Sequence, residues 1–188
     1  LSRKQSAFHA EDYPLGVFPI NGLAEGGGRL KLTDKSALRL RVPSERIGDV
    51  LPLVGSEIEL DGHTARLGNP SLEPVRFAAR LFSPWVTYSK VTSESEFLSR
   101  IQQDLDRLQI TARYGLVQPL HQQSKDGGQG SRSTTVRRTR KIKDNSIIGF
   151  AVLLEDLNQE HSRILCRDGL GGRRHFGGGL FLPARNRP

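Results

Sequence analysis

The sequence predicts an α+β fold built from antiparallel sheets, and three observations lead to this prediction. Short runs in which apolar and polar residues alternate, bounded by turn residues, predict strands along most of the chain. One run has the spacing of a buried helical face, with apolar residues at Phe97, Leu98, Ile101, Leu105 and Leu108. The second half follows the order β-α-β-β-α and then adds a glycine-rich loop and a last strand. This is the ferredoxin-like (RRM-like) order, in which two helices cover one face of an antiparallel sheet.

Two such units in tandem are the predicted architecture. Two prolines within residues 69–74 favour a linker there. We therefore expect an N-terminal ferredoxin-like domain over residues 1–69 and a C-terminal one over residues 75–188. Residues 1–10 read as the tail of a helix, so the N-terminal domain is expected to be truncated, with its first strand missing.

The elements of the N-terminal domain follow from alternation and turn chemistry. Residues 29–33 and 37–42, in which apolar and basic residues alternate, are predicted to pair as a hairpin. Ser44 is predicted to cap a short helix. Residues 57–60 and 64–67 are predicted to pair as a second hairpin, because an Asp-Gly turn joins them.

The elements of the C-terminal domain are taken from the same signals. The predicted order is a strand from residue 75 that continues past Pro84 to Tyr88, a helix capped by Ser93, a strand over 110–117, a hairpin of 136–143 with 146–154, and a short helix capped by Asn158. The polar stretch 122–135 is predicted to be a loop.

Charge gives the first indication of a partner. The 188 residues carry a net charge of +8, and 13 Lys and Arg against 6 Asp and Glu lie from residue 124 onward. Such an excess favours a polyanionic partner, most often nucleic acid, although a solvated basic face is the alternative. No apolar run is long enough to span a membrane, and the single cysteine, Cys166, excludes an internal disulfide framework. A cytoplasmic location is expected.

Five cations are concentrated in one predicted strand and its end. They are Arg137, Arg138, Arg140, Lys141 and Lys143. Because they fall on both faces of the strand, they suit the phosphates of a duplex or hairpin RNA. The alternative is an edge strand that its charges protect from aggregation.

The glycine-rich loop at residues 169–179 is the sharpest local motif. Glycines such as Gly171 and Gly172 allow the backbone to approach a ligand closely, and the neighbouring Arg173, Arg174 and His175 add groups that bind phosphate. The loop lacks the Gly-Lys-Ser/Thr of a P-loop and leads into a strand, which excludes both nucleotide-binding fingerprints. A flexible loop near the chain end is the alternative.

The histidines are the candidate acid–base residues. No two of the five share the spacing of metal ligands. His9 has no evident structural role and lies close to Arg3, Lys4 and Tyr13.

Several of these segments resemble a known family. The stretches SIIGFAV at 146–152 and GLGGRRHFGGGLFLP at 169–183 resemble the C-terminal signature of the CRISPR-associated endoribonucleases of the Cas6 family, most of all the subtype first described from myxobacterial systems. Pro19-Ile20, SALRLRVP at 36–43 and LDG at 60–62 are similar to the N-terminal blocks of that subtype. The resemblance covers most of the chain.

The resemblance implies a function and a mechanism. Members of this family bind the repeat of precursor CRISPR RNA and cut it once per repeat by attack of a ribose 2′-OH on the adjacent phosphate, with no cofactor and no metal. It implies His9 as the general base or acid, Lys4, Arg3 and Tyr13 as electrostatic support, and Arg173 and Arg174 as contacts to the RNA backbone. The implied partners are a repeat hairpin and other subunits of a CRISPR effector complex.

Two alternatives to this nuclease stay open at the level of sequence. One is a non-catalytic RNA-binding subunit of the same fold, which binds the repeat hairpin without cutting it. The other is a structural RNA-binding protein of ribosomal type. Replacement of His9 separates the nuclease from the first alternative, because it removes cutting from a nuclease and changes nothing in a binding subunit.

Overall fold

The computed structural model describes residues 14–26, 29–60, 62–117, 137–142 and 144–184. Contacts divide the chain into two compact units, one of residues 1–74 with 174–177 and one of residues 75–173 with 178–188. The strands are β1 (Gly16–Val17), β2 (Leu23–Gly26), β3 (Arg29–Lys31), β4 (Leu40–Arg41), β5 (Glu57–Leu60), β6 (His63–Arg66), β7 (Leu81–Val86), β8 (Arg113–Leu116), β9 (Arg137–Ile142), β10 (Asn145–Glu155) and β11 (Leu182–Pro183). The helices are α1 (Ile47–Val50), α2 (Glu94–Arg107) and α3 (Gln159–Asp168), with 3₁₀ turns at Ser44–Arg46, Leu51–Leu53 and Arg174–Phe176.

The first unit is built from short antiparallel pairs. Among its described residues, β1 pairs with β4, β2 with β3, and β5 with β6. Leu15 and Leu53 are buried at the centre of a small apolar cluster, against which Val17 and Leu40 of the first pair are packed. The second hairpin expected from the sequence is therefore present as β5 and β6.

The first hairpin prediction is wrong. Residues 29–33 and 37–42 do not pair with each other, because β3 pairs with β2 and β4 pairs with β1. Asn21 gives a physical reason. Its side chain accepts a hydrogen bond from the Ala37 amide (2.9 Å) and donates one to the Lys35 carbonyl (3.1 Å), so the chain after the turn is tied to the segment before β2.

Ser44 does not cap a helix as predicted. It is the first residue of a 3₁₀ turn, and Pro43 occupies the capping position without a side-chain hydrogen bond. The Ser44 hydroxyl instead donates to the carboxylate of Glu45, at 3.2 Å. The helical segment itself lies where the sequence predicts it, at residues 44–53.

The second unit contains a five-stranded antiparallel sheet. Its strand order is β11-β7-β10-β8, and β9 also pairs with β10. β9 pairs with residues 145–150 of β10 and β8 with residues 152–155, so the two occupy successive parts of one edge of that long strand. With α2 and α3, the strands follow the β-α-β-β-α-β order of a ferredoxin-like domain, extended by β9. The predicted fold class is confirmed.

The core of this unit lies between the sheet and its two helices. Phe97, Ile101 and Leu105 of α2 are buried, as their helical spacing predicts. Alternate residues of β10 and the apolar residues of α3 belong to the same cluster, so both helices cover the same face of the sheet. The predicted caps are confirmed, since the side chains of Ser93 and Asn158 each accept a backbone N–H of the first helical turn.

Two strands are shorter than predicted. The strand expected from residue 75 begins only at Leu81, and the one expected over 110–117 covers Arg113–Leu116. In the part of the chain that the structure describes, none of the helices has the length and apolar character needed to cross a membrane.

Candidate nucleic-acid interface

An irregularity in β7 places an aromatic side chain on the face of the sheet opposite the helices, called here the helix-free face. The pairing of β7 with β10 slips by one residue between Val86 and Ser83, which is a β-bulge at residues 84–85. Pro84 has no N–H to offer to a ladder, so a bulge is a position that tolerates it. Trp85, the only tryptophan of the chain, lies there with 0% of its surface exposed.

The indole of Trp85 is enclosed by two glycines. A Cβ added to Gly149 would lie 2.3 Å from the indole Nε1, and one added to Gly178 would lie 3.3 Å from Cζ3 of the same ring and 2.4 Å from the Gly172 carbonyl oxygen. Real Cβ atoms do not approach other atoms as closely as the two shorter distances. The ring therefore fits because Gly149 carries no side chain, whereas Gly178 is kept small mainly by the Gly172 carbonyl.

Two arginines of β9 lie on the same face as this ring. Arg138 and Arg140, called here the arginine pair, alternate along the strand and are both partly buried. The guanidinium carbon of Arg140 lies 4.5 Å from the centroid of the Trp85 ring, which is a cation–π contact. Nη1 of Arg138 donates a 2.9 Å hydrogen bond to the carbonyl oxygen of Pro84, within the bulge.

The charge of the arginine pair is partly desolvated. Burial lowers the pKa of both guanidinium groups, and the positive charge of Arg138 lowers the pKa of Arg140 further. Arginine nevertheless stays protonated in proteins, so both charges persist. Within the described ranges Arg138 forms no ion pair, and its buried Nε has no hydrogen-bond acceptor. Such a positive charge favours an anion beside it.

The other face of β9 carries exposed cations. Arg137 and Lys141, called here the exposed pair, are solvent-exposed, and they lie across from Phe150 and Ser146 of β10. Because side chains alternate along a strand, the exposed pair and the arginine pair lie on opposite faces. The cations of β9 thus differ in surroundings, one pair solvated and one partly buried.

The glycine-rich loop is anchored to both a strand end and a helix. The Gly171 amide donates to Oδ2 of Asp104 on α2 (3.1 Å), and the Gly172 amide donates to the Thr87 carbonyl (3.0 Å). Gly171 has a φ of +69°, and a Cβ there would lie 2.5 Å from the Thr87 carbonyl oxygen, so no other residue fits without rearrangement. Tyr88 also donates its hydroxyl to Oδ2 of Asp104, at 2.9 Å.

The cationic residues of the loop are divided between the two units. Arg173 belongs to the second unit, is exposed and has a positive φ of 63°. Arg174 and His175 belong to the first unit, where they are partly exposed in a 3₁₀ turn. The predicted residues of the loop thus belong to two different compact units.

The predicted catalytic residues His9, Tyr13 and Lys4 lie outside the described residues, and so does Lys143. Of the predicted RNA-binding residues, the structure brings together Arg138 and Arg140, and it joins them through Trp85 to the glycine-rich loop.

Sequence reasoning missed four residues that build this site. The sequence pattern places Trp85 and Pro84 only within a strand and Gly149 only within a motif. Asp104 is one of several polar residues in the predicted helix. The available signal was a single tryptophan next to a proline inside a strand, since proline in a paired strand indicates an edge or a bulge.

Comparison with known proteins agrees with the fold. The model of the Cas6 family, described as "Cas6 Crispr", matches residues 1–186. The chain is 33% identical over 183 residues to the CRISPR-associated endonuclease Cas6 of Myxococcus xanthus (strain DK1622), covering 97% of this chain and 71% of that protein. A mixed α/β protein with this sheet order is in the class of ferredoxin-like proteins. The chain belongs to the Cas6 family, and the predicted family and endonuclease class are confirmed.

Proposed function

We propose that this protein matures CRISPR RNA by cutting the precursor once within each repeat, in the cytoplasm. The observation that carries the proposal from the structure is the arginine pair, which offers partly desolvated positive charge beside the glycine-rich loop. Membership of the Cas6 family names the RNA. A folded repeat hairpin is the proposed substrate, and the product stays bound for transfer to other subunits of an effector complex.

The proposed chemistry needs no metal ion. The 2′ oxygen of a ribose forms a bond to the adjacent phosphorus while the bond from phosphorus to the 5′ oxygen breaks. A general base takes the proton of the 2′-OH, and a general acid protonates the leaving 5′ oxygen. The products are a 2′,3′-cyclic phosphate and a 5′-OH. Cations around the phosphate stabilise the charge that develops in the transition state.

His9 is the proposed general base or acid. Histidine is the side chain whose unperturbed pKa lies near neutrality, so it exchanges protons readily under cellular conditions. Lys4 and Tyr13 are proposed to support the developing charge. These roles rest on the resemblance of the N-terminal stretch to the first helix of the family.

The proposed RNA contacts are divided by kind. The exposed pair, with Lys143, supplies attraction to the phosphate backbone, and the arginine pair supplies an oriented contact. Gly171 and Gly172 allow the RNA to approach the loop, and Arg173, Arg174 and His175 add contacts to its backbone.

The first test is cleavage of an end-labelled repeat hairpin RNA in excess EDTA. The wild type is compared with His9→Ala and with His63→Ala, whose imidazole is exposed on the β5–β6 hairpin and serves as a matched control. We expect a single cut by the wild type and His63→Ala, and RNA binding without cutting by His9→Ala.

The remaining outcomes separate the alternatives. Cutting by His9→Ala at the wild-type rate would move the general base to another residue. Tight binding with no cut by the wild type would favour the non-catalytic RNA-binding subunit. Equal affinity for unrelated RNAs, with no cut, would favour a general RNA-binding protein.

A further inference from the structure

The cations of β9 offer two chemically different surfaces. The exposed pair is solvated, and solvated cations attract phosphates without holding one geometry. The arginine pair is held in place, with Arg138 bonded to the Pro84 carbonyl and Arg140 stacked on the Trp85 ring. A guanidinium fixed in this way loses little entropy when it binds a ligand.

The spacing of the arginine pair suits one small tetrahedral anion. Residues two apart on a strand have their Cα atoms about 7 Å apart and point the same way. A guanidinium has five N–H donors, of which Arg138 uses one on the Pro84 carbonyl, and a phosphate group has enough oxygens to accept bonds from both side chains. One phosphate between the two side chains can accept hydrogen bonds from both, whereas a planar carboxylate has only two oxygens to share between them.

The surroundings of Trp85 exclude a nucleobase as the ligand of the ring. The indole is 0% exposed and lies against Arg140, Gly149 and Gly178. A base stacks on an aromatic ring only where one face of that ring is open. Trp85 therefore acts on a ligand through the arginine above it.

We propose that the arginine pair is a binding subsite for a single phosphate group, with Trp85 as the positioning residue that orients Arg140. The phosphate group is one phosphodiester of the RNA backbone, an assignment that rests on the proposed function. Binding there fixes the register of the RNA on the protein, whereas the exposed pair supplies attraction that depends on salt. The partial desolvation of both guanidinium groups supports the same assignment, since an anion relieves their mutual repulsion.

Trp85 makes the subsite directly observable. It is the only tryptophan in the chain, so tryptophan emission reports this one position. The test is a titration of the protein with inorganic phosphate, with chloride adjusted to hold the ionic strength constant. We expect a saturable change in emission for the wild type. For Arg138→Gln we expect affinity to fall about tenfold or more, the usual effect of losing a charged hydrogen bond.

Two further variants serve as controls for the phosphate titration. Arg100→Gln removes an exposed arginine of α2 and is expected to bind phosphate like the wild type. Arg140→Lys keeps the charge but loses the planar stack, so we expect weaker phosphate binding and altered emission of the free protein. Thermal unfolding followed by circular dichroism establishes that each variant is folded. If Arg138→Gln does not fold, the phosphate affinity of Arg140→Lys still tests the subsite.

Addition of a repeat RNA distinguishes a site for a backbone phosphodiester from a site for free inorganic phosphate. If the subsite takes a backbone phosphodiester, added RNA weakens the apparent affinity for inorganic phosphate by competition. RNA that binds without this competition would overturn the assignment to the backbone. A linear, unsaturable emission change, or equal phosphate affinity for the wild type and Arg138→Gln, would overturn the subsite itself. Phosphate binding by a protein that cuts no RNA would contradict only the proposed nuclease function.

Discussion

The variant Gly149→Ala tests the packing around Trp85 with the smallest possible change. One added Cβ would lie 2.3 Å from the indole Nε1 and 2.4 Å from the Val86 carbonyl oxygen. The carbonyl belongs to a central strand and cannot turn away, and the indole is fully buried. Overpacking of a dense core costs about 1–3 kcal/mol, and contacts on both sides of the new atom favour the upper end, near 3 kcal/mol.

The matched control is Gly115→Ala. Gly115 lies in β8 of the same sheet, and a Cβ there meets nothing within 4 Å. An alanine at a compatible position stabilises a protein by about 0.4–1 kcal/mol through the unfolded state. Comparison of the two variants therefore separates the contact with Trp85 from the general effect of replacing glycine in a strand.

The assay is unfolding in urea followed by the emission of Trp85. Because this is the only tryptophan, the signal reports the second unit alone. With an m-value of about 1–3 kcal/mol per M in urea, we expect a loss of about 3 kcal/mol to lower the unfolding midpoint by roughly 1–3 M. The native emission should also shift, because the indole must move. Unfolding of Gly149→Ala at the wild-type midpoint, or equal destabilisation by Gly115→Ala, would refute the packing argument.

Three further predictions follow from individual contacts. Asp104→Ala removes the acceptor of the Gly171 amide, and we expect a loss of about 1–3 kcal/mol in urea unfolding, with weaker RNA binding by the loop. Ser93→Ala removes the cap of α2 and should cost about 1 kcal/mol in the same measurement. Arg113 hydrogen-bonds Asp156 and lowers the pKa of that carboxyl. The interaction of Asp156 with Arg113 therefore stabilises the fold above about pH 4, and this stabilisation is lost as the pH falls through the lowered pKa of Asp156. Below pH 4 the unfolding midpoint of Asp156→Asn should fall less steeply than that of the wild type.

The second unit could be predicted closely because local signals and the tertiary fold agree there. The helical spacing of Phe97, Ile101 and Leu105 gives the buried face of α2, and Ser93 and Asn158 cap the helices that their positions predict. Each of these features depends on residues within a few positions of one another. Element order then leads to the ferredoxin-like sheet without knowledge of long-range contacts.

The first unit was harder to predict because its pairing depends on a distant side chain. Alternation in residues 29–33 and 37–42 predicts two strands, which the structure contains only at Arg29–Lys31 and Leu40–Arg41, and a turn does separate them. Alternation does not say which strand pairs with which, and Asn21 ties the second segment elsewhere. That residues 1–69 form a ferredoxin-like domain, and that His9 acts in catalysis, stay predictions.

The candidate site also depends on contacts between residues far apart in the sequence, which local patterns do not predict. The composition of β9 predicts cations on both faces, which is a local property of alternation. The bulge in β7 distinguishes the arginine pair from the exposed pair. It places the Pro84 carbonyl and the indole of Trp85 on the helix-free face, where the arginine pair contacts them. A bulge is a mismatch of register between two strands, and those strands are about 65 residues apart in this chain.

The packing around the same bulge explains why two positions of the signature motifs are glycine. Gly149 and Gly178 come from two separate stretches of sequence and both lie beside the indole ring, but the ring requires only Gly149 to be small, whereas a Cβ at Gly178 would first meet the Gly172 carbonyl oxygen. Substitution of Gly149 should therefore disturb the indole directly, and substitution of Gly178 should disturb mainly the loop backbone at Gly172. Sequence alone identifies these glycines as a motif, and the structure connects them to the orientation of Arg140.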